Sequence, residues 1–191
     1  MSNCAKEISK LKRSDCVASE KAGFKPYILV VLYANILTWC GFGDKSIAAG
    51  SYSKNEKKVL TTGDIVLKQG EFWQRIESAD TGMLKVTTKK AGNAWMTELK
   101  QRLQNSMETR GFLSDIPGSR LVVLAFEKDG ALPILLGHSD GDYAEFKKDG
   151  ADVEFGEKYE DDKFADITLE YKPEMPYNYA GVHLEAAVEI I

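Results

Sequence analysis

Cysteine is scarce in this chain and lies near its start. The three cysteines are Cys4, Cys16 and Cys40, an odd number, and no two of them form a Cys-x-x-Cys pair. An odd, clustered set is a poor disulfide framework, and without such a pair there is no basis for a zinc site. The cysteine content therefore favours a reducing compartment.

Long apolar runs are also missing. The longest covers residues 27–34, far fewer than the roughly 20 residues that a helix needs to cross a bilayer. The first 16 residues are polar and charged, without the apolar core of a signal peptide. We therefore expect synthesis in the cytoplasm and no membrane partner.

Motifs with a clear chemistry are few. The glycine-rich motifs that bind nucleotide phosphates are absent, and His138 and His183 are the only histidines. His138 begins the sequence His-Ser-Asp-Gly-Asp, in which Asp140 and Asp142 could bind calcium or take part in acid–base chemistry. A calcium loop needs more oxygen ligands at regular spacing and a closing bidentate glutamate. We therefore predict an ordinary turn here, and no catalytic residue, cofactor or metal in the chain.

Two other classes of function remain open. Trp39, Trp73 and Trp95 could form the sugar-binding platform of a monomeric carbohydrate-binding module, although tryptophans more often anchor a core or an interface. A small hydrolase with a triad around His138 or His183 is the less favoured alternative. The acidic run at residues 160–162 is typical of a solvated loop.

The sequence does contain a series of short strand patterns. Residues 121–126 are apolar at every position, as in a strand that is buried on both faces, and a second apolar run covers 131–136 after a turn at 128–130. Residues 27–33 favour a first strand, which residues 36–39 continue after a break. These patterns predict a mainly β fold, an antiparallel β-sandwich or barrel with one or two short helices.

Three further segments refine that prediction. Residues 165–171 alternate between apolar and polar side chains, which indicates an amphipathic strand. Residues 94–110 fit either a helix or a strand, and the hairpin turn before them favours a strand to about Leu103 followed by a short helix from Asn105 to Leu113. Lys-Asp-Gly at residues 148–150 predicts a turn that ends the preceding strand.

The predicted organisation is an N-terminal arm and one folded domain. The arm covers residues 1–23, and a single β-sandwich or barrel domain covers residues 24–191. Residues 41–63 are rich in glycine, serine and lysine and predict an extended loop. A loop of that length in a compact domain is more often functional than idle, so we predict a contact element there.

Charge is divided unevenly along the chain. Residues 137–191 hold 15 acidic and 5 basic residues, a net charge of −10, whereas residues 1–136 hold 14 acidic and 20 basic residues, a net charge of +6. The division fits either two solvated faces or a complementary head-to-tail contact between copies. Because the lysines are scattered and lack interleaved aromatics, a specific nucleic-acid site is disfavoured.

An ordered set of segments carries a resemblance to a known family. The set comprises the cysteine-bearing arm, Gly-Phe-Lys-Pro-Tyr at 23–27, a strand ending at 36–39, a strand–turn–strand block at 82–99, Gly-Phe-Leu at 111–113, the strand at 121–126, the turn at 128–130, Leu-Leu-Gly at 135–137, the strand at 167–171, Pro173, Pro176-Tyr177 and Tyr179-Ala180-Gly181. This arrangement resembles the tail-associated virion structural proteins of tailed phages that infect Bacteroidetes, which include tail-tube-like subunits and the ring proteins below the portal in crAss-like phages. It covers most of residues 4–181 and departs at the acidic insert 158–162 and after Gly181.

The resemblance implies a tail-tube-like fold and a non-enzymatic subunit of the virion. Copies would form a ring around the DNA channel between portal and tail, as a tail-tube, ring or connector component. The implied partners are other copies, neighbouring portal or tail ring proteins, and DNA that passes through the lumen without sequence-specific binding. A closed ring requires a heterologous contact, and acidic side chains facing the lumen would repel the phosphates of the passing DNA.

Overall fold

The computed structural model describes nine segments of the chain. They are residues 23–42, 61–79, 84–91, 94–104, 106–115, 118–128, 132–153, 164–172 and 176–185. The arm predicted at residues 1–23 and the acidic run at 160–162 lie outside these segments, except for Gly23.

The described residues form a mainly β structure with one helix. The six longer strands are β1 (Phe24–Leu32), β7 (Leu84–Ala91), β8 (Ala94–Gln104), β9 (Arg120–Glu127), β11 (Ala144–Val153) and β12 (Phe164–Tyr171). The shorter strands are β2 (Ile36–Thr38), β3 (Gly41–Phe42), β4 (Thr61–Thr62), β5 (Val66–Leu67), β6 (Gln74–Glu77), β10 (Ile134–Leu136) and β13 (Tyr177–Asn178). Helix α1 (Met107–Asp115) follows β8, and a 3-10 turn (Tyr33–Asn35) joins β1 to β2.

Nine of these strands form one antiparallel sheet. Its main path runs β13-β10-β9-β11-β12-β8-β7, and β1 pairs with both β9 and β6 beside that path. Two small sheets, β2 with β5 and β3 with β4, lie apart from it. Among the described strands no pairing closes the large sheet, so the fold is the predicted antiparallel β structure in its sandwich-like form and not a closed barrel.

Strands β1 and β9 lie at the centre because both of their faces are covered. On one face Ile28 and Val123 pack with Leu169 and Tyr171 of β12. On the other face the neighbouring residues of β1 and β9 pack with a second set of apolar side chains that includes Trp73. All six residues 121–126 are buried, which confirms the prediction of a strand without a solvent-facing side.

A buried glutamine joins two parts of the large sheet. The Gln101 side chain of β8 is 2% exposed, and its Nε2 donates to the carbonyl oxygen of Ile76 at 3.0 Å and to the Ser78 hydroxyl at 3.1 Å. Ala79 N also donates to the carbonyl oxygen of Arg102 at 2.8 Å. These bonds hold the end of β6 against β8. They also satisfy the buried Nε2 group of Gln101, whose burial would be costly without hydrogen bonds.

Several sequence predictions are confirmed. Strands β9 and β10 pair antiparallel, as the two apolar runs predicted. In β12 the four apolar residues of the predicted alternation, Ala165, Ile167, Leu169 and Tyr171, are all buried. The strand-then-helix interpretation of residues 94–110 is also correct. The Ser106 hydroxyl accepts a hydrogen bond from Thr109 N at 3.1 Å, a cap that starts α1 two residues later than predicted.

The turn predicted at residues 148–150 is wrong. These residues lie inside β11, which pairs with β12 on both sides of them. Phe146 pairs with Leu169 and Ala151 with Ile167, so four residues of β11 stand opposite Thr168 alone. The turn-forming residues produce a bulge, because pairing on both sides holds the chain in the strand direction.

The predictions for residues 36–63 need correction at their edges. Residues 36–38 do not continue β1, because the 3-10 turn separates them from it and they pair with β5 in a small sheet. The predicted loop at 41–63 begins and ends in paired strands, since Gly41 pairs with Thr62 and Phe42 with Thr61. Residues 43–60 lie outside the described segments, so the contact predicted for them stays a prediction.

Candidate interaction surface

The histidine-containing segment lies in the connection between β10 and β11. Gly137, with a φ of +94°, turns the chain out of β10, and a Cβ there would come within 3.1 Å of neighbouring atoms. This backbone favours glycine for both reasons. The turn that follows is closed by a hydrogen bond from Asp142 N to the carbonyl oxygen of Ser139 at 3.0 Å. The predicted turn is therefore confirmed.

The two polar side chains of this turn form a buried cluster with a third residue that the sequence did not indicate. The Tyr171 hydroxyl, at the end of β12, donates to Asp142 Oδ2 at 2.8 Å and lies 3.1 Å from His138 Nδ1. His138 Nδ1 also contacts Asp142 Oδ2. All three residues are buried, and Asp142 Oδ1 has no hydrogen-bond partner among the described residues. The cluster fastens the turn to β12.

Residues 137–141, Gly-His-Ser-Asp-Gly, match the Gly-x-Ser-x-Gly pattern of a nucleophile elbow. The prediction of a chain without catalytic residues took this pattern to be absent, which was wrong. That elbow requires a strand, a sharp turn and a helix, whereas here the turn joins two strands. The Nδ1 atom of His138 faces the Tyr171 hydroxyl and the Asp142 carboxylate. The turn therefore shares the sequence pattern of the elbow without the helix that belongs to it.

Cys40 lies beside the same turn but is not prepared for nucleophilic attack. Its thiol donates to the carbonyl oxygen of His138 at 3.7 Å, so the bond reaches the backbone and not the ring. Burial raises the pKa of Cys40 from 9.0 to about 11. Because the thiolate is the nucleophilic form, this thiol is inert at neutral pH.

The second histidine and the metal-binding residue types form no site in the described segments. His183 packs against Phe126 with ring centroids 5.4 Å apart, and its Nδ1 is buried without a described hydrogen-bond partner. No group of three or more His, Cys, Asp or Glu side chains among the described residues is placed to hold a metal ion. No helix in these segments is long and apolar enough to span a bilayer.

The three tryptophans do not form one platform. Trp73 is 1% exposed and belongs to the core, and Trp95 lies on β8 opposite Lys90. Trp39 is half-buried, with its ring 5.2 Å from that of Tyr33. Tyr33 in turn lies 5.6 Å from the ring of Tyr143, so Trp39 belongs to a small aromatic cluster at the surface.

The feature that stands out on the surface is apolar. Seven large hydrophobic side chains are exposed among the described residues, and four of them line one pocket of about 270 Å³. We call these four the apolar rim: Val66 (45% exposed), Phe72 (45%), Val182 (64%) and Leu184 (69%). Buried Trp73 also lines the pocket, and Asp64 and Glu71 add polar groups.

The rim is assembled from three separate segments of the chain. Trp73 N donates to the carbonyl oxygen of Leu184 at 3.1 Å, and Trp73 forms a parallel bridge with Glu185. Val182 N donates to Asp64 Oδ1 at 2.7 Å. These bonds place residues 182–185 between β5 and the start of β6, with Val182 and Leu184 pointing outward.

The Tyr179 hydroxyl supports the rim from inside. It accepts a hydrogen bond from Ile65 N at 2.9 Å and donates one to the carbonyl oxygen of Val182 at 2.9 Å. Burial raises the pKa of Tyr179 to about 12. Gly181 permits this contact, because a Cβ there would come within 2.5 Å of the Tyr179 hydroxyl oxygen and 2.6 Å of the Gly63 carbonyl oxygen.

Comparison with protein-family models, with curated proteins and with solved structures finds no match. The resemblance to phage virion proteins therefore depends on the sequence arrangement alone.

Ion pairs inside one copy connect the basic and the acidic parts of the sequence. Arg102 of β8 forms a bidentate pair with Asp166 of β12, with both N···O distances 2.7 Å. Lys147 of β11 lies 3.0 Å from Glu98 of β8. The first pair joins a cation of the basic part of the sequence to an anion of the acidic part across adjacent strands. The second pair joins a cation of the acidic part to an anion of the basic part, with β12 between the two strands. The two charge signs are therefore interleaved on this face of the sheet.

Sequence reasoning missed the apolar rim. Val182 and Leu184 alternate with His183 and Glu185, which is the period of a strand. That alternation was the available signal. It does not show which side chains are exposed, because Val66 and Phe72 come from segments more than a hundred residues earlier.

Proposed function

We propose that this chain is a non-enzymatic virion structural protein of a tailed phage. Its copies assemble into a ring around the DNA channel between portal and tail, as a tail-tube, ring or connector component. Neighbouring portal or tail ring proteins are its other protein partners. DNA passes through the lumen without sequence-specific binding, and the protein resides in the virion after synthesis in the host cytoplasm.

The apolar rim is the observation that carries the assembly part of this proposal. A contiguous set of exposed apolar side chains with polar groups beside it is typical of a protein–protein contact. Burying a side chain of this size from full exposure contributes about 1.5–3 kcal/mol. Scaled by the exposures of the four residues, covering the rim contributes roughly 3–7 kcal/mol before the cost of association.

The resemblance of the ordered sequence segments to phage virion proteins implies both the ring and its place in the virion. Four of the seven exposed large hydrophobic side chains among the described residues lie together in the apolar rim, so we assign the main contact energy to it.

The test compares a rim variant with a matched surface variant. Val182→Asp combined with Leu184→Asp places charge in the rim, whereas Met107→Asp places charge on Met107, which is 77% exposed on α1 outside the rim. Light scattering after size exclusion should show an oligomer for the wild type and for Met107→Asp, and a monomer for the rim variant. Negative-stain images of the wild type should show closed rings.

Circular dichroism and the urea midpoint establish that each variant is folded. A monomeric wild type at high micromolar concentration would overturn the ring. An oligomer that survives in the folded rim variant would overturn the role of the rim.

A carbohydrate-binding module is the second candidate function. The aromatic cluster of Trp39, Tyr33 and Tyr143 favours it, because half-buried aromatic rings are the surfaces on which sugars stack. Glycan-array binding that Trp39→Ala abolishes would support this candidate, and an array without signal would remove it.

A further inference from the structure

The backbone of the last described residues leads away from the apolar rim. Glu185 pairs in parallel with Trp73, which directly precedes β6. The backbone therefore leaves the rim in the direction in which β6 runs. Arg75 of β6 lies 3.8 Å from the Glu185 carboxylate, on the same course.

The next six residues, 186–191, have the composition of a segment that becomes buried against a partner. Their sequence is Ala-Ala-Val-Glu-Ile-Ile, with one charged residue among six. In an extended conformation Ala186, Val188 and Ile190 share one face, and Glu189 lies on the other. One face is therefore apolar and matches the chemistry of the rim.

We propose that residues 186–191 of one copy bind, in extended form, to the apolar rim of the next copy. This inference rests on the proposed assembly of copies and names its contact. Each copy would offer one segment and one rim, which are two different surfaces. Such a contact is heterologous, and it forms a ring when the rotation from one copy to the next closes.

Two complementary variants test the contact directly. The first lacks residues 186–191 and keeps the rim. The second keeps those residues and carries Val182→Asp with Leu184→Asp. Each should be a monomer of about 21 kDa by light scattering. Mixed at equal concentration they should form a species of twice that mass and nothing larger, because only one productive contact remains between them.

The matched control uses the alternation of the segment. Val188→Asp with Ile190→Asp should abolish the mixed species, whereas Glu189→Gln should leave its dissociation constant within twofold. Should the rim variant lose its fold by circular dichroism, Phe72→Ser is the milder replacement, because Phe72 is 45% exposed.

The outcomes separate this inference from the proposed function. An oligomeric wild type whose two complementary variants do not combine would overturn the segment–rim contact and leave the ring intact. An oligomer formed by the variant that lacks residues 186–191 would do the same. A monomeric wild type would overturn the ring, and variants that then fail to combine would overturn the contact as well.

Discussion

Tyr179→Phe tests the hydrogen bonds that hold the rim in place. The ring of Tyr179 is fully buried, and its hydroxyl satisfies Ile65 N and the carbonyl oxygen of Val182. Phenylalanine keeps the ring and removes both bonds, which leaves two backbone groups without their partner. A group left unsatisfied on burial costs about 1–3 kcal/mol. Since the Val182 carbonyl lies near the surface and water can replace one partner, we expect the free energy of unfolding to fall by about 2 kcal/mol.

The assay is urea unfolding followed by tryptophan fluorescence, because Trp73 lies in the same core cluster as Tyr179. Tyr27→Phe is the matched control. The Tyr27 ring packs against Phe126 at 5.2 Å, and no described hydrogen bond depends on its hydroxyl. Its unfolding free energy should stay within about 0.5 kcal/mol of the wild type.

The effect of pH gives a second measurement on the same variant. Burial raises the pKa of Tyr179 from 10.0 to about 12, so the folded state favours the neutral hydroxyl. A group with a raised folded pKa contributes stability that is complete below the unfolded pKa and is lost as pH rises through the folded pKa. The difference between wild type and Tyr179→Phe should therefore shrink between pH 10 and pH 12. A difference below about 0.5 kcal/mol at pH 7, or one that does not change over this window, would refute the reasoning.

Three further predictions follow from the described contacts. Because burial raises the pKa of Cys40 from 9.0 to about 11, the wild type should lose stability between pH 9 and pH 11, and Cys40→Ala should show a smaller loss by urea unfolding. Lys147→Met should lower the urea midpoint at neutral pH, because it removes the cation that pairs with Glu98. Glu145, Glu170 and Glu98 stand opposite one another on adjacent strands, and without that cation their repulsion is uncompensated. Added salt should reduce that effect, and a midpoint shift unaffected by salt would contradict an electrostatic cause. The effect should also shrink below pH 4.5, because the Lys147 hydrogen bond holds the pKa of Glu98 below its ordinary value of 4.5 and the carboxylate is protonated as pH falls through that lowered pKa. A fluorophosphonate probe should leave Ser139 unlabelled, with intact-mass spectrometry as the readout and a serine hydrolase as the positive control; labelling that Ser139→Ala removes would revive the hydrolase alternative.

The apolar rim is positioned by residues that lie beneath it. Tyr179, Gly181 and Trp73 are core or near-core residues, yet they determine where Val182 and Leu184 lie on the surface. A mutation in this support can therefore change assembly without touching the contact itself. Comparing Tyr179→Phe with the rim variant separates these two causes.

Local patterns were sufficient where a single strand carries its own signal. Residues 121–126 are apolar throughout and proved buried on both faces, and the alternation in residues 165–171 proved to be the buried and outer faces of β12. The strand and short helix predicted for residues 94–113 are likewise present as β8 and α1. In each case the side chains of one segment decide the outcome, because strand and helix periods are properties of consecutive residues.

Local patterns failed where distant residues decide the outcome. The glycine-containing segment 148–150 favours a turn, but pairing of β11 with β12 on both sides converts it into a bulge. The Gly-x-Ser-x-Gly match at 137–141 is followed by strand β11, whereas a nucleophile elbow is followed by a helix. The five residues alone do not distinguish these two cases.

The sequence by itself determined the β class, the central strand at residues 121–126 and the scarcity of catalytic motifs, because these depend on composition and on the order of neighbouring residues. The tertiary structure decided where the exposed apolar surface lies. Val66, Phe72 and Leu184 meet around Trp73 only after residues 182–185 bind beside β5. Exposure is a property of the folded surface, since the same leucine is core or contact according to what the rest of the chain places over it.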